Sequence, residues 1–525
     1  SAYIAGGTGG SNNTYKQTKN NTLLELYLNY VKDLKSIRSR IDALAGYSYN
    51  NYLTTVYNYA SYYANGAKVP NSDPAFPFDK PEHTLISYFG RLNYTYNDRY
   101  LLTATLRRDE SSRFAQKVGI FPSVAFAWKI KDEAFLKNSQ VISDLKLRLG
   151  YGITGQQDGI GNYDYLAVYS LSSANASYQF GNTFYQGYRP GGYNPNLKWE
   201  QTATSNIGLD FGFLNNRITG SVDIYQKKTS DLLNSIPQPA GTNFAAFFIA
   251  NVGDMTNKGI EFNINAQPVI SRNFNWDVAF NVTYNENIIT KLTVLPNDTS
   301  YIGFPSGNIA GGIGGQFAFI NSVGSPKNTF YLYQQVYDKS GKPIEGVFVD
   351  QNKDGIINQD DQVKGKSADP KVFMGFSTNM TYKKWNAGFV LRASLGNYDY
   401  NNNYSQTGNL NQILGNYVLY NASANYLTTQ FKGGNVQELL SDYYIQNASF
   451  LRMDNINIGY NVGKISKTNW NLRLNASVQN VFVITKYTGL DPEIAANAQT
   501  LGNPGIDNSL YPRPRVYSLS LNFGF

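Results

Sequence analysis

Apolar and polar side chains alternate with a period of two along almost the whole chain. At 84–96, Ile86, Tyr88, Gly90, Leu92, Tyr94 and Tyr96 share one face, and Ser87, Arg91, Asn93 and Thr95 share the other. At 274–285, Phe274, Trp276, Val278, Phe280, Val282 and Tyr284 oppose Asn275, Asp277, Asn281, Thr283 and Asn285. This periodicity predicts strands with one apolar face. The same pattern fills 22–33, 36–49, 99–107, 118–130, 144–154, 203–213, 217–228, 258–268, 371–383, 385–396, 447–462, 469–484 and 515–525. The count is about 15 strands of roughly 10 to 15 residues each.

Strands of globular domains usually run to about 5 or 6 residues. Strands of this length match the roughly 10 tilted residues that cross a bilayer as β, with extensions beyond it. Tyr94, Trp128, Trp276, Tyr382, Trp385 and Tyr460 lie near predicted strand ends, as an interfacial aromatic girdle requires. Short turns (Asn97-Asp98, Asn215-Asn216, 269–272, Lys384, 463–468) alternate with long loops (50–83, 155–202, 229–257, 286–370, 397–446, 485–514). Only 131–143 and 111–117 depart from that rule. The expected fold is therefore all-β: a transmembrane antiparallel β-barrel with short periplasmic turns and long extracellular loops.

An odd strand count with a periplasmic C-terminus puts residue 1 on the extracellular side, whereas exported single-chain barrels have an even count. The expectation is that 21–525 is the C-terminal portion of a larger barrel. Segment 1–20 would then be part of an extracellular loop, and the first strands would lie on an N-terminal fragment of the same barrel.

Composition narrows the function. Only 16% of residues are charged, below the usual quarter, whereas Tyr (42), Phe (30) and Gly (47) are abundant. Mean hydropathy is −0.38, and no apolar run approaches the roughly 20 residues of a membrane helix. Cys is absent and His83 is the single histidine, which excludes thiol chemistry and multi-His metal sites. No Ser or Asp stands placed for a triad, so no enzyme is expected. The net charge of +8 comes from Lys and Arg scattered singly, which argues against nucleic acid as a partner.

Several stretches resemble one family. They are F-G-R-L-N-Y-T-Y-N-D-R-Y-L-L-T-A-T-L-R-R-D-E-S-S-R-F (89–114), L-R-L-G-Y-G-I-T-G-Q-Q-D-G-I-G-N-Y (147–163) and N-P-N-L-K-W-E-Q-T (194–202). To these add N-I-G-L-D-F-G-F-L-N-N-R-I-T-G-S-V-D-I-Y (206–225), N-K-G-I-E-F (257–262), Q-N-V-F-V-I-T-K-Y-T-G-L-D-P-E (479–493) and Y-P-R-P-R-V-Y (511–517). In this order they resemble the C-terminal part of SusC/RagA-type TonB-dependent transporters. The resemblance implies a 22-stranded barrel with an N-terminal plug, about 7 strands and the plug lying outside this chain. It further implies the outer membrane of a Gram-negative bacterium of Bacteroidetes type, with the barrel in contact with its lipid. The implied activity is TonB-driven import of a large nutrient, an oligosaccharide or oligopeptide, with a SusD-like surface lipoprotein as partner. An adhesin or scaffold built on the same barrel is the alternative.

Within the loop 286–370, D-Q-N-K-D-G-I-I-N-Q-D-D (350–361) fits the calcium-loop template. Asp350, Asn352 and Asp354 take positions 1, 3 and 5, the Ile356 carbonyl position 7, Asn358 position 9 and Asp361 position 12. Hard oxygen donors at alternate positions of a tight loop suit Ca²⁺. A structural Ca²⁺ ordering a loop with little core of its own is one reading, and an Asp/Gly turn without metal is the other.

Tyr178, Phe184, Tyr185 and Tyr188, and Tyr398, Tyr400 and Tyr404, are candidates for stacking on a ligand, or for packing within their loops. Arg107, Arg108 and Arg113 with Asp109 and Glu110 either line a binding surface or form a salt-bridged rim. The chain ends in V-Y-S-L-S-L-N-F-G-F. Tyr517, Leu519, Leu521, Phe523 and Phe525 would face lipid, and the resemblance implies that they form the signal read by the barrel-assembly machinery.

Overall fold

The computed structural model describes residues 10–70, 72–172, 176–237, 247–292, 303–309, 316–414, 421–433, 436–465, 470–493, 505–508 and 511–524. Fifteen long strands stand where the alternation predicts them. They are β1 (Lys16–Leu34), β2 (Ser39–Tyr57), β3 (Glu82–Tyr96), β4 (Tyr100–Ser111), β5 (Val118–Lys129), β6 (Ile142–Gln156), β7 (Glu200–Phe213) and β8 (Ile218–Ser230). The rest are β9 (Gly253–Ile270), β10 (Phe274–Leu292), β11 (Val372–Tyr382), β12 (Trp385–Leu395), β13 (Phe450–Lys464), β14 (Asn471–Thr485) and β15 (Val516–Gly524). Each neighbours the next in chain order in one sheet, and Phe78–Asp79 joins off this path beside β2. The pairs from β1 to β4 and from β10 to β15 are antiparallel.

Local chemistry makes the tight turns. Between β3 and β4, Asn97 and Asp98 both hold φ near +55° (55° and 54°), and the Arg99 N–H donates to the Tyr96 carbonyl at 3.1 Å. This two-residue primed turn matches strand twist, and Asn and Asp tolerate its left-handed backbone. No helix among the described residues is long and apolar enough to cross a membrane.

The strands often outrun their predicted bounds. β1 begins at Lys16, so residues 16–20 of the expected loop 1–20 are strand, while 1–9 lie outside the described residues. The reason is the hairpin ladder: β1 pairs with β2 without interruption from Leu34↔Ser39 to Lys16↔Tyr57. Backbone pairing continues after the apolar stripe has ended.

The chain divides into two compact units. The first comprises Ser1–Phe126, Gly150–Thr204 and Thr229–Gly253. Its buried cluster is Phe114, Phe121, Ile160, Leu197 and Trp199. The Trp199 ring lies 4.8 Å from Phe114 and 5.4 Å from Phe121, and its N–H donates to the Lys117 carbonyl at 2.8 Å. The N-P-N-L-K-W-E stretch thus supplies core residues.

The second unit comprises Ala127–Leu149, Ser205–Lys228 and Asp254–Phe525. Its apolar core is built from the long connections. Phe304–Asn308, Phe317–Asn321, Thr329–Tyr333 and Gln362–Ser367 form a four-stranded sheet. Phe319, Phe330, Leu332, Tyr400 and Ile506 are buried in one cluster with it. This corrects the expectation that 286–370 has little core of its own. F-A-F-I and T-F-Y-L-Y are short apolar runs, as strands buried on both faces require, and a search for alternation passes over them.

Candidate functional site

On the polar face of β6, β7 and β8, Arg148 sits between two carboxylates. Its Nη2 lies 2.8 Å from Asp210 Oδ1 and 2.9 Å from Asp223 Oδ2, and Lys146 Nζ lies 3.2 Å from Asp210. Gly208 leaves the room for this contact: a Cβ there would stand 2.4 Å from Asp223 Oδ1 and 2.7 Å from Arg148 Cζ. Along β4, Arg107 Nε reaches Asp109 at 2.7 Å, Arg107 Nη2 donates to Ser87 at 2.8 Å, and Arg108 pairs with Glu110. The ion pairs Arg107–Asp109 and Arg108–Glu110 each join residues two apart, which share a strand face. Arg113 turns away to Asn162 and the Gln157 carbonyl. These contacts are those of the salt-bridged rim. His83 stacks on Tyr52 with ring centroids 4.5 Å apart, a packing contact.

A larger network joins the polar ends of β12 and β13 to the last long loop. Arg392 Nη1 and Nη2 donate to the two Glu493 oxygens at 2.7 and 2.9 Å, and its Nε donates to Asp454 at 2.9 Å. Arg452, 1% exposed, donates to Asp491 at 2.5 Å and to Asn480 Oδ1 at 2.6 Å. Arg513 reaches Glu493 at 3.0 Å. Both guanidinium groups flank the Phe450 ring, Arg392 at 5.6 Å and Arg452 at 5.5 Å from its centroid. These residues explain the L-D-P-E and P-R-P-R motifs: they clamp the two ends of one loop to the strands. The sequence signal was present in the motifs, but the arginines that answer them lie far away in the chain.

The 350–361 loop folds tightly on itself. Asp350 accepts the N–H groups of Lys353 (2.6 Å) and Gly355 (2.8 Å), and Gly355 adopts φ +82° at the sharp turn. Asn352 accepts the Asp354 N–H, and Asp354 accepts the Ile356 N–H. Asn358 caps the short helix Gln359–Asp361. Asp361 is buried and accepts the N–H groups of Gln351 (2.8 Å) and Asn358 (2.9 Å). Those backbone donors, Asn358 foremost, hold its carboxyl below the usual range, so it stays ionised. Ile357 packs against the buried core. Among the described residues no three acidic or His side chains converge to hold a metal ion.

The aromatic candidates separate. Tyr178, Phe184, Tyr185 and Tyr188 stand exposed on two small hairpins, with Tyr178 paired to Tyr185 and Leu171 to Tyr188. Tyr400 is wholly buried, its hydroxyl donating to the Leu439 carbonyl, and Tyr398 and Tyr404 pack against the same core. For Tyr400 the ligand-stacking expectation is corrected: β-alternation between Tyr398 and Tyr400 puts both on the core side. At the C-terminus Tyr517, Leu519, Leu521 and Phe523 are exposed along one face of β15, and Phe525 lies outside the described residues.

A chain-ordered sheet of fifteen long strands, apolar on one face and ion-paired on the other, is the geometry on which the comparisons bear. The family profile described as "TonB dependent receptor-like, beta-barrel" matches residues 1–481. The chain belongs to this family. It is 45% identical over 451 residues to the TonB-dependent receptor SusC of Bacteroides thetaiotaomicron, covering 84% of this chain and 44% of that one. It is 30% identical over 553 residues to the TonB-dependent receptor P3 of Formosa agariphila, covering 99% of this chain and 54% of that one. Among solved structures, that of the RagAB peptide transporter matches with a TM-score of 0.78 at 23% identity, over 97% of this chain and 56% of that chain. The chain spans about half the length of the curated relatives it matches. This member of the TonB-dependent receptor β-barrel family is an outer-membrane protein.

Proposed function

We propose that this TonB-dependent receptor chain is the C-terminal barrel portion of an importer for a large nutrient, an oligosaccharide or an oligopeptide. TonB would supply the energy, and a SusD-like surface lipoprotein would capture the cargo. The observation that carries this reading is the 45% identity to SusC across 84% of the chain. The edge strands β1 and β15 support a larger barrel. They are the two ends of the sheet and are exposed along almost their whole length, so we infer that further strands of the same barrel pair with them. Deleting the full gene in its host, then measuring growth and uptake on defined oligosaccharides and peptides, tests the proposal. Expected is loss of uptake of one class, reproduced by TonB depletion. Unchanged uptake of every class would leave the scaffold or adhesin reading in its place.

We further propose that the 350–361 loop holds a structural Ca²⁺ through Asp350, Asn352, Asp354, Asn358, Asp361 and the Ile356 carbonyl. All the donors are oxygens, and a carboxylate oxygen that accepts one N–H retains a second lone pair. The ion would tie the loop to the core that Ile357 already touches. Calorimetry on chelator-treated protein should show one site, lost in Asp350→Ala. No heat of binding, together with no anomalous peak at the loop, refutes it.

A further inference from the structure

The polar faces of β11, β12 and β13 bound a cavity of about 500 Å³. Phe373, Val390 and Phe450 supply much of its apolar wall. Four carboxylates also border it, and three of them are answered. Asp454 and Glu493 accept hydrogen bonds from Arg392. Asp369 accepts from the Asn328 and Asn287 amides at 3.2 and 3.3 Å, with Lys327 Nζ 3.8 Å away.

Asp399 is different. It lies on the short strand Tyr398–Asn401, on the face opposite the buried Tyr400, and only 3% of it is exposed. Its Oδ2 has no hydrogen-bond partner, and no ion pair engages the carboxylate among the described residues. Asn401, on the same face, likewise has an unpartnered amide nitrogen. The neighbouring strand Ile506–Asp507 runs parallel and sets a second buried carboxylate opposite Asn401. A desolvated carboxylate without a partner is costly, and proteins seldom leave one so. Burial, then the charges of Asp507 and Asp491, push its carboxyl well above the usual range. A cation would reverse that penalty.

We propose that this cavity binds an ammonium group carried on a short apolar stem, with Asp399 as the anionic anchor. An ammonium group brings both the charge and the donors that Asp399 lacks, while the stem lies against Phe373 and Val390. Phe373 is 46% exposed and presents free apolar surface. A bare metal ion fits less well, because the other carboxylates that border the cavity, Asp369, Asp454 and Glu493, are already engaged. A lysine-bearing peptide and an amino sugar share this chemistry. The proposal rests on the import reading only in treating the bound ligand as cargo.

The test is calorimetry on the full-length protein in detergent with n-butylamine and n-butanol as probes. The wild type should prefer the amine by about 10- to 100-fold, the worth of one charged hydrogen-bonded contact. In Asp399→Asn the preference should fall to about two-fold or less, while thermal unfolding shows a protein at least as stable, since a lone buried charge has been removed. Phe373→Ala should weaken both probes alike, by roughly 3- to 10-fold, and keep their ratio. Binding of Ala-Lys-Ala or of glucosamine that disappears in Asp399→Asn supports the site and identifies the source of the amine. Equal binding of amine and alcohol by the wild type, an unchanged preference in Asp399→Asn, or displacement of the amine by Ca²⁺ alone overturns it. Failure of these arms leaves uptake untouched, whereas a protein that binds the amine but transports nothing defeats only the import reading.

Discussion

The strand β15 and the loop strand Phe317–Asn321 are both rich in large apolar residues, and they meet opposite fates. Every residue of β15 is exposed, including Leu519 at 79% and Tyr517 at 71%. In Phe317–Asn321 all but the first residue are buried, with Ala318 and Phe319 at 0%. Transfer of apolar surface out of water drives both arrangements. In β15 the apolar side chains lie on one face and alternate with Ser518, Ser520 and Asn522, and on the proposed barrel reading hydrocarbon would receive them. In the loop sheet other side chains receive them, so the strand is apolar on both faces. The lesson is that the same apolar content is spread over one face of a long edge strand in one region and over both faces of a short buried strand in the other.

That contrast can be broken experimentally. Phe330 is fully buried, its ring 4.8 Å from Phe319. Phe330→Ala should destabilise the loop unit by about 3–5 kcal/mol. Hydrogen exchange should speed up across 317–333 while the long strands keep their protection; equal loss in both would show that they open as one. Leu519→Arg places a charge on the lipid face and should cost about 2–4 kcal/mol if the position lies near the bilayer midplane. Urea unfolding in lipid vesicles measures this, and a wild-type midpoint would mean that Leu519 does not face lipid.

The smallest expected effect concerns the clamp that joins the two kinds of region. Burial alone would raise the Glu493 carboxyl, but Arg392, Arg513 and Arg452 outweigh it and hold it below its ordinary value of 4.5. The stabilisation is therefore complete above that value and is lost as pH falls through the depressed folded value. Proteolysis of the 485–514 loop should quicken at roughly pH 4 and below, with the long strands intact. An unchanged cleavage rate from pH 6 to 3 would remove Glu493 from the clamp.

Much of the architecture was legible because its causes are local. The period of two in 274–285 predicts β10 to its first residue, and Asn97-Asp98 predicts a tight turn by its tolerance of left-handed backbone. The 350–361 loop could be singled out because its spacing of oxygen donors is written in consecutive residues. The sequence leaves Tyr400 between ligand stacking and loop packing for the converse reason. A tyrosine in a polar, Asn-rich loop looks like a ligand contact until the helices and strands packed on it are known.

By itself the sequence determined the fifteen strands, their order and the polar and apolar faces of each, since alternation and turn chemistry act over a few residues. The tertiary structure alone decided which arginine answers which carboxylate. Arg392 and Glu493 stand 101 residues apart, and Arg452 and Asp491 stand 39 apart, so no local pattern links them. It also decided that Asp399 Oδ2 has no hydrogen-bond partner among the described residues, because burial of a charge depends on everything packed around it.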